Sequence, residues 1–134
     1  MPLLSWNDSY SVRAPAIDAQ HKHLMKLIND LHDGMSRGAG NDALGSVLDG
    51  LIKYTRAHFA DEERAMEAAG YPNLLQHRAE HKALTDKVLK FREDFAAGRV
   101  AISIHVLTFL KEWLSHHIMG SDKQYAPWLA QHQA

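Results

Sequence analysis

His58 and Glu62 stand four residues apart, and so do His77 and His81. In a helix that spacing stacks two side chains on one face. An imidazole–carboxylate pair and an imidazole–imidazole pair of this kind are ready-made bidentate ligands for a divalent metal ion. His21 and His117 lie on two further helical stretches, each in line with apolar residues spaced three and four apart. Five imidazoles and a carboxylate in positions meant for a hydrophobic core are costly to bury unless something holds them together. Metal binding answers that cost, and two ions are expected. A second carboxylate is needed to balance them, and Asp122 is the nearest candidate. Its five-residue spacing from His117 works only if the chain turns at Gly120. Taken alone, an aspartate after a helix-ending glycine is more often a turn residue.

The elements that must position these groups can be read from the same periodicity. An apolar, irregular stretch with Trp6, Tyr10, Pro2 and Pro15 reads as an extended arm over residues 1–17. The first helix is expected from Asp18, as N-cap, to Ser36, with His21, Leu24, Ile28, Leu31 and Met35 on its seam. The second should start near Asn41 and stop before Gly70, its seam running through Leu44, Leu48, Leu51, Thr55, His58, Glu62 and Ala65. Gly70-Tyr71-Pro72-Asn73 is a turn signal. Leu74, His77, His81, Leu84, Val88, Phe91 and Phe95 mark the third, which Gly98 ends. Val106, Leu110, Trp113 and His117 mark the fourth, expected from Ser103 to Met119 and closed by Gly120. Residues 121–134 read as a short C-terminal capping turn. The expected fold is all-α: an antiparallel up-down-up-down four-helix bundle, residues 1–134 forming one domain. Two helix starts and two helix ends then bring the ligands to one end of the core. Register also separates neighbours. Glu62 is on the seam while Asp61 and Glu63 are off it, and His117, unlike His116, continues the Leu110–Trp113 line. His23, His32, His105, His116 and His132 read as solvated surface residues.

Composition narrows the function. Fifteen Lys+Arg against sixteen Asp+Glu give no basic surface for nucleic acid or an anionic membrane. With no cysteine, thiolate metal sites, disulfides and cysteine nucleophiles are excluded. The N-terminus lacks the basic flank and apolar run of a signal peptide, and no stretch approaches the roughly 18 apolar residues of a membrane-spanning helix. The expected location is the cytoplasm, without membrane insertion. No acid–base pair or substrate cleft is evident, so no enzyme is expected. Glu-x-x-His repeats of carboxylate-rich di-iron proteins are absent. On residue types alone, zinc competes with iron for this site.

The motifs W-N-D-S-Y-S-V at 6–12, I-D-A-Q-H-K at 17–22, H-F-A-D-E-E at 58–63, H-R-A-E-H at 77–81 and W-L-S-H-H-I-M-G-S-D-K at 113–123 together resemble the hemerythrin family, in particular its stand-alone bacterial members. The resemblance implies two iron ions. His77, His81 and His117 would hold one, His21 and His58 the other, with Glu62, Asp122 and an oxo or hydroxo group bridging them. It further implies a dioxygen pocket lined by Leu24, Phe59, Trp113, Leu114 and Ile118, residues that core packing alone would also explain. The implied function is reversible dioxygen binding, for storage or for delivery to an oxygen-consuming enzyme. The alternatives are an oxygen or redox sensor module, or a di-iron peroxidase or nitric oxide scavenger.

Overall fold

A computed structural model describes residues 3–98 and 104–133. Among them there is no strand. A 3₁₀ turn at Asp8–Tyr10 leads into α1 (Pro15–Ser36), α2 (Asn41–Ala69), α3 (Leu74–Ala96) and α4 (Ile104–His116). A π-helical turn, His117–Asp122, joins α4 directly to α5 (Lys123–Gln133). Helix α1 packs on α2 and α4, and α2 also packs on α3 and α5. The links 37–40 and 70–73 are too short for anything but antiparallel neighbours. The result is the expected four-helix bundle.

Its first helix starts earlier than Asp18. Pro15 takes the first helical position, where its missing N–H costs nothing, and Ala14 is the N-cap. Asp18 lies inside the first turn. Its carboxylate accepts from the Val12 N–H at 2.9 Å and the Ser11 hydroxyl at 2.6 Å, so the arm is pinned to the helix it precedes. Asn29 holds the arm further along α1, accepting from the Leu4 N–H and donating to the Leu4 carbonyl, both at 2.8 Å. At the other end of α2, Gly70 adopts φ +71°, and the Tyr71 N–H reaches back to the Met66 carbonyl at 3.0 Å. This left-handed cap reverses the chain and turns Tyr71 inward. The expected starting residue Ser103 lies outside the described residues.

The expectation at Gly120 fails. The helix neither ends nor turns there; it widens into the π turn and runs on as α5, where a short capping turn was expected. In a π turn the hydrogen bond runs from i to i+5. Residues five apart therefore come onto one face, and this brings Asp122 beneath His117.

Two apolar clusters make the core. Leu24, Ile28, Leu31, Leu48, Leu51, Leu107, Leu110 and Leu114 form the larger one along the bundle. Val12, Ile17, Met66, Tyr71, Tyr125 and Leu129 form the smaller one at its end. Between them every contributing helix carries polar residues: His21 follows Ile17, Glu62 precedes Met66, and His117 and Asp122 separate Leu114 from Tyr125. The smaller cluster takes Met66, which is fully buried, where Ala65 was expected on the seam.

Leu48 is fully buried in the larger cluster and belongs to neither group of potential ligands. Leu48→Ala should cost about 2–5 kcal/mol in chemical denaturation, with metal uptake by the folded variant unchanged.

Candidate metal centre

All seven residues singled out from the sequence meet in the polar layer, and all are buried: His21, Glu62 and Asp122 completely, His117 least at 8% exposure. They fall into two groups that share Glu62. One contains Glu62, His77, His81, His117 and Asp122; the other contains His21, His58 and Glu62. The carboxylates divide their oxygens between the groups. Glu62 presents Oε1 to His77 at 3.2 Å and His81 at 2.9 Å, and Oε2 to His21 at 3.3 Å and His58 at 3.1 Å. Asp122 presents Oδ1 to His77 at 3.0 Å and His117 at 3.1 Å, and Oδ2 to His21 at 3.1 Å.

Hydrogen bonds alone do not account for these contacts. His117 Nε2 faces the Nε2 atoms of both His77 and His81, at 3.2 and 3.1 Å. Neutral imidazole has one N–H, so three Nε2 atoms and a carboxylate oxygen cannot all be paired. Both Asp122 oxygens are buried without a hydrogen bond of acceptable geometry, as is His21 Nδ1. Converging lone pairs left unsatisfied at full burial are what a cation-binding donor set looks like. The residues fit a metal ion.

Supporting hydrogen bonds aim the rings. Gln20 Nε2 donates to Asp61 at 2.9 Å, which turns Gln20 Oε1 toward His58 Nδ1 at 2.6 Å. Since Oε1 can only accept, His58 carries its proton on Nδ1 and leaves Nε2 as a lone pair facing the centre. His81 Nδ1 donates likewise to Glu63 at 2.9 Å, and Arg78 holds Glu63 from the other side. Glu80 lies 3.6 Å from His117 Nδ1, an electrostatic neighbour rather than a hydrogen bond. Tyr125, fully buried, donates its hydroxyl to Glu62 Oε2 at 2.9 Å.

Gln20, Glu63, Glu80 and the hydroxyl of Tyr125 are therefore part of the site, and seam periodicity misses them. Gln20 and Glu63 each adjoin a seam residue on the side turned to the neighbouring helix, which was the available signal. Of the histidines expected at the surface, His23 and His116 are exposed and His32 is half-buried; the side chains of His105 and His132 lie outside the described residues.

Of the residues expected to line a dioxygen pocket, Leu24, Phe59, Leu114 and Ile118 are buried and Trp113 is half-buried. The Phe59 ring stacks on His81 at 3.8 Å, and Trp113 stacks on His117 at 5.7 Å. Leu24 and Trp113 also line an apolar cavity of about 20 Å³, together with Thr55, Leu84 and Leu110. Phe59, Leu114 and Ile118 do not line it.

Without a metal, protons take over part of its role. Burial disfavours charge on His21 and His77, but Asp122 and Glu62 outweigh it and raise both to about 9. Burial likewise pushes Asp122 up, and Glu62 adds to that. The close imidazole nitrogens of His117, His21 and His77 prevail and bring it down to about 2. Glu62 is held well below the usual carboxylate range: burial opposes ionisation, and the surrounding histidines overcome it. Burial, with Asp122 and Glu62, keeps the Tyr125 hydroxyl protonated well above the usual phenol range.

Known proteins share this arrangement of chain and fold. Residues 13–129 match the family described as Hemerythrin HHE cation binding domain. A bacteriohemerythrin of Stenotrophomonas maltophilia is 37% identical over 132 residues, covering 98% of this chain and 85% of its own. A myohemerythrin of Theromyzon tessulatum is 31% identical over 120 residues, covering 90% of this chain and 88% of its own. The crystal structure of a wild-type hemerythrin superposes with a TM-score of 0.91 at 32% identity, covering 96% of this chain and 98% of that one.

Two measurements test the centre. The raised His21 and His77 stabilise the metal-free fold fully below their ordinary value of 6.5 and lose that contribution as pH rises toward about 9. The lowered Asp122 stabilises it above 3.8 and loses that contribution toward about 2. Metal-free protein should therefore melt at a higher temperature near pH ~5.5 than near pH ~9. The stabilisation gained from added metal should run the other way, because protons compete for the imidazoles. Separately, Gln20→Ala and Glu63→Ala should each weaken metal binding about 10–100-fold in a competition titration with a chelator.

Proposed function

The chain belongs to the hemerythrin family, and from that premise we propose that it holds two iron ions and binds dioxygen reversibly. One observation carries the ion count: Glu62 and Asp122 each turn one oxygen toward the His77 group and the other toward His21. A carboxylate placed in this way spans two positions. In this reading His77, His81 and His117 would hold the first ion, His21 and His58 the second, and both carboxylates would serve both. The imidazole counts, three against two, leave the second position one protein ligand short of the first.

The iron pair, when bound, supplies the electrons and the coordination position that reversible dioxygen binding requires. The protein supplies the rest. Gln20 and Glu63 fix the tautomers of His58 and His81, so that lone pairs rather than protons face the ions. Tyr125 orients Glu62 through its hydroxyl. Leu24, Phe59, Trp113, Leu114 and Ile118 shield the layer, restrict it to small ligands and keep water from the bound gas. The reading is of a dioxygen-binding protein. It acts in the cytoplasm, storing dioxygen or passing it to an oxygen-consuming enzyme. No helix among the described residues is long and apolar enough to cross a membrane.

The test is anaerobic reduction followed by admission of oxygen, with visible absorption and metal content read on one sample. Two irons per chain, and a charge-transfer band that appears with oxygen and disappears on degassing, are expected. His58→Ala should lower the iron content and abolish the reversible band. Zinc in place of iron, or bleaching with no oxygenated form, would sink the proposal.

A further inference from the structure

A site that meets dioxygen also meets its reduction products, and one side of this site is built of side chains that give up electrons. Tyr125 touches the centre twice. Its hydroxyl donates to Glu62 at 2.9 Å, and its ring lies 5.7 Å from that of His77. Tyr71 follows at 6.3 Å, edge to face, and Trp128 lies a further 6.2 Å from Tyr71. Exposure rises outward along this line: Tyr125 is sealed, Tyr71 is 7% exposed and Trp128 is 40% exposed. Ile17, Met66 and Leu129 pack around the inner rings and keep water from them.

We propose that Tyr125, Tyr71 and Trp128 form a relay that carries one-electron oxidising equivalents from the metal centre to the protein surface. It rests on the iron reading above. A phenol loses an electron readily only if its proton has somewhere to go, and Glu62 Oε2 is the acceptor already bonded to Tyr125. Packing alone asks for no such contact, and phenylalanine would fill the same space. The oxidant is hydrogen peroxide, which takes up two electrons from the relay and two protons from solvent and leaves as two molecules of water, the solvent being repaid by the protons released at Trp128.

In each pass Tyr125 gives one electron inward while its proton moves along the hydrogen bond toward Glu62 Oε2. Trp128 refills Tyr125 through Tyr71, which bridges the two rings without itself being left oxidised, and the proton returns to Tyr125. Trp128 is left short of one electron and of its indole proton, which solvent takes. Two passes serve one peroxide. A small thiol in solution refills Trp128, two thiols giving one disulfide. The relay spares the buried imidazoles by moving the damage to a residue that solvent reductants can reach.

Trp113 is the competing exit. Its ring stacks on His117, and it lines a surface groove with His116 and Ser121. Phe59, stacked on His81, cannot relay because an unsubstituted benzene ring is too hard to oxidise.

The experiment adds limited hydrogen peroxide, without thiol, to the iron-loaded full chain and to Tyr71→Phe and Trp128→Phe. Freeze-quench electron paramagnetic resonance reads the radical, and peptide mass spectrometry locates added oxygen. Trp128 should be oxidised several-fold more than Trp6, whose ring neighbour is Tyr10. Tyr71→Phe keeps the ring and should lower Trp128 oxidation several-fold, moving damage inward to Tyr125 and His77. Metal-free chain treated identically should show no preference for Trp128. Oxidation at Trp113 in place of Trp128, or unchanged Trp128 oxidation in Tyr71→Phe, would overturn the relay while leaving the iron reading intact. A chain that takes up no iron overturns both.

Discussion

Two carboxylates and five imidazoles share one dry layer of this bundle, and their mutual satisfaction is the condition on which the remaining structure depends. Removing one partner from a buried charged set typically costs about 3–5 kcal/mol, because its neighbours stay buried and uncompensated. The metal-free protein meets the condition with protons. The two histidines raised to about 9 belong one to each ligand group, so a positive charge sits on either side of the shared carboxylates. That is where two cations would put theirs. The apolar clusters above and below the layer make this electrostatic order matter, since they exclude the water that would otherwise screen it.

Much of this was legible in the sequence because a helix turns polar spacing into geometry. His58/Glu62 and His77/His81 needed only the four-residue rule, and the apolar seams on either side of them gave the bundle and its direction. The four-residue links confirmed the antiparallel order. His117 was separable from His116 by register alone, and the structure buries the first and exposes the second.

What escaped the reading did so for a shared reason: it depends on something other than the seam. The five-residue interval between His117 and Asp122 belongs to a π turn, and no helical period announces one, so Gly120 looked like a stop. Asp18 carries the composition of an N-cap, yet its carboxylate serves the arm, and Pro15 begins the helix three residues earlier. Gln20 and Glu63 lie one residue off the seam, where the default reading is a solvated flank. Tyr125 falls in the stretch expected to form only a capping turn. Its ring does pack, and only the partner of its hydroxyl reveals the second role.

The division of each carboxylate between two groups has a thermodynamic consequence. Two ions that shared Glu62 and Asp122 could not bind independently, since whatever occupied one position would fix the orientation of oxygens turned to the other. By reciprocity, the free energy with which the first occupant alters the affinity for the second equals that with which the second alters the first. Because the shared ligands come from α2 and from the junction of α4 with α5, the same linkage extends to the helices. Composition of the centre and cohesion of the bundle are then two readings of a single equilibrium.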